Sequence, residues 1–113
     1  MLDKLQIGCI CYDVKEKTDL HSVNDAGAKQ WLHGHILYAD AEIRIGYEQA
    51  PDMKVATLWY EALHGILNQA GQDDHSEEII IALGYGIVRL IRDNPELVKL
   101  TVGEPETDKG NPF

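Results

Sequence analysis

The sequence predicts a single α+β domain: a small, three-stranded, mostly antiparallel sheet packed on two long helices. Three observations predict it. Up to about Ile45, apolar residues alternate with the period of two that marks strands. From Val55 to Ile91 they recur with the 3.6-residue period of helices instead. The chain has 113 residues, 44% of them hydrophobic, which suits one core.

From Leu5 to Val14 the residues Leu5, Ile7, Cys9 and Cys11 alternate with Gln6, Gly8, Ile10 and Tyr12, which reads as strand one with apolar character on both faces. Cys9 and Cys11 are the two cysteines. Two apart on a strand, their backbones lie roughly 6–7 Å apart, near or beyond disulfide reach, so reduced, packed thiols are expected. A Cys-x-Cys metal site lacks a second Cys/His pair at zinc-finger spacing. Lys15 to Gln30 is polar without a sustained period and reads as a loop. A second β region, about His33 to Tyr38, and a third, about Glu42 to Ile45, flank Asp40-Ala41 at the length of a tight hairpin.

Pro51 opens the first long helix, about Asp52 to Ala70, whose stripe includes Val55, Leu58, Trp59, Ala62, Leu63, Ile66 and Leu67; Gly71 closes it. The second helix is expected from about Ser76 to Asp93, with Glu77 and Glu78 in the first turn and Asn94-Pro95 as its stop. Its apolar residues cover most of the circumference, so it is expected to be largely buried. Gly84 and Gly86, costly inside a helix, suggest close approach to the first helix. Residues 1–100 form the domain, and 101–113, rich in Gly, Pro and acids, read as a flexible tail.

No run of about 18 uncharged apolar residues occurs, and Met1-Leu2-Asp3-Lys4 lacks the layout of a secretion signal. The expectation is a soluble protein of the cytoplasm with no membrane contact. A net charge of −9 argues against direct nucleic-acid binding. It suits docking on a basic protein surface, or serves solubility alone.

The chemistry-bearing residues sit on the first helix. Tyr60 and His64 are four apart and share a face, with Glu61 beside them. A helix that places two imidazoles at i and i+4 grips one zinc ion, and a glutamate between them can take a proton from the metal-bound water. Here a tyrosine stands at the first of those positions. His33 and His35 share a strand face and either lie near His64 as a replacement site or are ordinary strand residues; His75 reads as a helix-start residue and His21 as a loop residue. Glu61 and His64 make either a metal-free acid–base pair or a buried polar contact.

The segment Thr57-Leu58-Trp59-Tyr60-Glu61-Ala62-Leu63-His64-Gly65-Ile66-Leu67 resembles the Thr-Leu-x-His-Glu-x-x-His-x-Ile-Leu helix of small zincin-like peptidases, the ImmA/IrrE-type metallopeptidases and their short phage relatives. The likeness covers most of residues 5–97 and implies a minimal zincin-like fold. It also implies an acidic third ligand on the second helix, three positions before a small residue at the helix contact. Taking Gly84 as that residue gives Ile81, and taking Ala82 gives Ile79; neither binds metal, and Glu78 is the nearest acid. The resemblance therefore implies a degenerate site: a non-catalytic, phage-encoded pseudoenzyme in a bacterial host, without cofactor, acting by binding a host or phage protein. An inhibitor of a host defence or nucleic-acid-handling protein is one such role. An active peptidase would hold Zn2+ through His64, Tyr60 and Glu78, with Glu61 as general base. A third reading is a structural or assembly protein, with Trp31 and Leu32 as an apolar patch and a homo-oligomer as its form.

Overall fold

In the computed structural model, which describes residues 1–72 and 74–103, the amino-terminal alternation breaks at Gly8, whose φ of 57° is left-handed. A residue without a Cβ takes that conformation cheaply, and a two-residue connection closes a hairpin. The one strand expected over Leu5 to Val14 is therefore two, β1 (Lys4–Ile7) and β2 (Ile10–Lys17), antiparallel with Ile7 opposite Ile10. The turn changes which residues face inward. Ile7, Tyr12 and Val14 are buried, whereas Cys9 and Cys11 are exposed free thiols rather than a packed pair.

Where a loop was expected, a second hairpin forms, β3 (His21–Val23) with β4 (Lys29–Trp31), in a sheet of its own. Asn24 Oδ1 accepts hydrogen bonds from the Ala26 and Ala28 amides at 3.0 and 2.8 Å, an Asx-type turn. Such short, exposed strands carry no alternation to read. β5 (Gly34–Leu37) and β6 (Glu42–Gly46) make the expected hairpin, with Ile36 opposite Ile43. β6 then pairs with β2 in parallel. A parallel pair needs a long crossover, and residues 18–41 supply it. The main sheet is thus mixed, with two antiparallel pairings and one parallel, and has four strands in the order β1-β2-β6-β5 where three were expected.

Helices α1 (Pro51–Gln69), α2 (Glu77–Asp93) and α3 (Pro95–Val102) follow. Pro51 takes the first turn of α1, where its missing N–H costs nothing. Tyr12, Ile43 and Ile45 are fully buried and, with Ile7, Val14 and Ile36, meet Leu58 and Ala62 of α1. Helix and sheet touch closely: a Cβ on Gly65 would lie 2.9 Å from Ile7 Cδ1.

The second layer is thinner. α2 buries Ile80, Gly84 and Val88, one residue per turn. Ile79, Ile81, Leu83, Tyr85 and Leu90 are exposed, so α2 is not largely buried as expected; it has α1 on one side and only the short α3 beside it. Gly84 does face Tyr60, at 3.6 Å from a would-be Cβ to the Tyr60 Cα, whereas nothing approaches Gly86 within 4 Å. α3 runs through Val102 into the segment expected as tail; residues 104–113 of that segment lie outside the described residues. No described helix is long and apolar enough to cross a membrane.

Candidate functional site: a cleft over Glu61 beside a histidine pair

α1 turns its polar residues toward α2 and the approach to β5. Glu61 is only 4% exposed and lies on the wall of a cleft of about 400 Å³ between α1, α2 and the segment Trp31–Gly34. Gly34 lets the backbone pass close over the carboxyl group: a Cβ there would lie 2.9 Å from Glu61 Oε2 and 2.6 Å from Thr57 Cγ2. Burial, and secondarily the charge of Glu77, pushes the Glu61 carboxyl up to about 8. It is therefore mostly protonated at neutral pH. The rest of the wall is largely apolar, from Trp31, Leu32, Met53, Ile81 and Tyr85.

One turn on, Tyr60, His64, His75 and Glu77 form a connected group across the α1–α2 seam. The Tyr60 and His64 rings meet edge to face, with centroids 4.6 Å apart. The Tyr60 hydroxyl donates to Glu77 Oε2. Burial first, and that hydrogen bond second, raise the phenol pKa, so Tyr60 keeps its proton. His64 Nε2 is 3.5 Å from the same Glu77 oxygen, and its Nδ1 is 3.0 Å from His75 Nε2. His75 Nδ1 lies 3.0 Å from the Gln72 carbonyl oxygen.

These positions test the ligand set implied for zinc. Tyr60 and His64 do share a face, but a phenol that holds its proton through Glu77 is not a ready ligand. Ile81 lines the cleft, Ile79 is 59% exposed, and neither offers a donor atom. Glu78 is exposed, and the acid that reaches His64 is Glu77, one residue earlier. Of the set Tyr60, His64 and Glu78, His64 is therefore the member with a donor nitrogen ready for zinc as placed.

His33 and His35 do not join the group. His33 Nδ1 lies 3.1 Å from Gln49 Oε1 at the cleft rim, and His35 is an exposed residue of β5 opposite Arg44. His21 sits edge-on to Trp31 at 6.3 Å. Among the described residues, the group of three able to share an ion is His64, His75 and Glu77, one ligand atom from each lying within 4.8 Å of the others.

His75 is the residue that sequence reasoning missed. Its role depends on α2 folding back along α1, which brings residues just after the connection beside those near the end of α1. The shortness of that connection, residues 70–76, was the available signal.

Comparison with protein-family models, with curated proteins and with solved structures gives no match to the chain.

Proposed function

We propose that the chain is a non-catalytic, zincin-like pseudoenzyme, phage-encoded and working in the cytoplasm of a bacterial host by binding another protein. One observation carries this reading: Ile81, at a position where the resemblance calls for an acidic ligand, instead lines the cleft together with Trp31 and Tyr85. A cleft walled by aromatic and aliphatic groups is suited to holding side chains. β5 borders it as an edge strand of the main sheet, and such an edge can pair with an extended segment of a partner. The net charge of −9 favours a partner with a basic face, in keeping with an inhibitor of a host defence or nucleic-acid-handling protein.

The test is a pull-down from host lysate with the wild-type chain and with Trp31→Ala/Tyr85→Ala in parallel. A partner retained by the first and lost by the second is expected. No partner specific to the intact cleft would remove this reading.

The buried carboxyl of Glu61 favours a second reading, an active zinc-dependent peptidase, because a carboxyl held near neutrality suits proton transfer. Zinc-dependent peptide cleavage that disappears in Glu61→Gln would establish it. The exposed Ile79, Leu83 and Leu90 of α2 favour a third, an assembly protein. Light scattering coupled to size exclusion, showing a stable oligomer, would support that one.

A further inference from the structure

We propose that His64, His75 and Glu77 form a divalent transition-metal site that clips the start of α2 to the C-terminal half of α1. The site lies on the seam between the helices and uses neither Tyr60 nor Glu78.

Hydrogen-bond direction supports it. The Gln72 carbonyl can only accept, so the proton between it and His75 belongs to His75 Nδ1. In neutral His75 that leaves Nε2 bare and directed at His64. His64 Nδ1 must then donate, which leaves its own Nε2 bare, facing the Glu77 carboxylate at 3.5 Å. Two acceptors oppose each other there, and Glu77 already accepts from Tyr60. A proton on His64 or a cation resolves the conflict, and a metal ion does so by taking the His75 Nε2 lone pair in place of the His64 hydrogen bond. A histidine whose second nitrogen is fixed by a backbone carbonyl is also the usual form of a metal-ligating imidazole.

The donor set selects the ion. Two imidazoles and one carboxylate suit zinc and its borderline neighbours, whereas magnesium and calcium prefer oxygen alone. The ligand atoms lie within 4.8 Å of one another, so modest side-chain rotation brings them around one ion. Glu77 has the freedom for this, its side chain being 63% exposed, while His64, at 13%, is held in place. The clip also has a purpose in the fold, because α2 fully buries only Ile80, Gly84 and Val88.

The full chain, stripped with a chelator, is titrated with Zn2+ and separately with Co2+. Saturation at one ion per chain is expected, with visible d–d absorption from bound Co2+ and a thermal midpoint that rises with Zn2+ concentration. His75→Ala and Glu77→Gln should each weaken Zn2+ binding about tenfold or more, while His21→Ala and His35→Ala leave it unchanged. A measurement that needs no variant accompanies these: in the wild-type protein, Zn2+ should shift the imidazole NMR signals of His64 and His75 and spare those of His21, His33 and His35. Four outcomes overturn the proposal. They are no saturable uptake by the wild type, uptake that survives His75→Ala with Glu77→Gln, a loss in His35→Ala as large as that in His75→Ala, and shifts centred on the other three histidines.

Discussion

Toward the sheet, α1 presents Leu58, Ala62 and Gly65 to a dense layer that includes Ile7, Ile36, Ile43 and Ile45. Toward α2 the same helix presents Tyr60 and His64 to the polar group of His75 and Glu77. Beyond that group α2 leaves Ile79, Ile81, Leu83 and Leu90 in the open. One side removes apolar area from water and the other largely does not, so stability is concentrated on the sheet side. Polar contacts, exposed apolar surface and an accessible cleft have room on the other. One helix thus serves as both a structural wall and a chemical one.

The comparison is broken most severely by a cavity on the sheet side. Ile43→Ala, at a fully buried position, should cost roughly 2–5 kcal/mol, whereas Ile81→Ala on α2, 46% exposed, should stay within about 1 kcal/mol because alanine also favours the helix. Urea denaturation of the two variants measures the contrast directly. Equal losses would mean that α2 is as much a part of the core as β6.

Glu61 sits between the two sides, and its effect depends on pH. Its folded pKa of about 8 exceeds the ordinary 4.5, so the native state binds more protons than the unfolded state in between. Stability should be highest below pH 4.5 as far as this group is concerned, and be lost as pH rises through 8, at about 1.4 kcal/mol per pH unit at most. Glu61→Gln removes that slope and should be more stable than the wild type at pH 8 by a few kcal/mol. Denaturation at pH 5 and pH 8, in chelator, tests it; parallel losses in both proteins would show that the carboxyl ionises without penalty.

Gly34→Ala is expected to be next in size. Its Cβ would lie 2.6 Å from Thr57 Cγ2, and overpacking of that kind costs roughly 1–3 kcal/mol. A wild-type midpoint in thermal unfolding would mean that the segment over the cleft yields freely. The smallest change is a gain: Gly86→Ala, in open space on α2, should stabilise by about 1 kcal/mol through helix propensity. A loss there would reveal that something covers this face of α2.

The sequence revealed α1, α2 and the β5–β6 hairpin because each joins strong periodicity to a clear stop: Pro51, Asn94-Pro95 and the break before Glu42. The β1–β2 hairpin was hidden because apolar residues on both sides of Gly8 looked like one strand, and the β3–β4 hairpin because its residues are nearly all exposed. The burial of α2 was overstated because a helix that is apolar all round looks the same whether or not a third layer covers it. At the site, Tyr60 and His64 were legible from their i, i+4 spacing alone. His75 was not, because no local pattern records which residues a returning helix brings opposite.

The turn at Gly8 also governs how the chain tolerates changes of length. Gln69, the last residue of α1, donates through Nε2 to the Ile7 carbonyl at 2.5 Å, so the turn is held from above as well as from within. Because Tyr12 and Val14 owe their inward direction to the two-residue spacing between Ile7 and Ile10, a single inserted or deleted residue there would turn the rest of β2 inside out. The Asn24–Ala28 loop, at the far end of an exposed hairpin, has no such parity to keep. Insertions and fused tags belong there, whereas the turn from Ile7 to Ile10 tolerates neither a change in its count of residues nor the loss of Gly8.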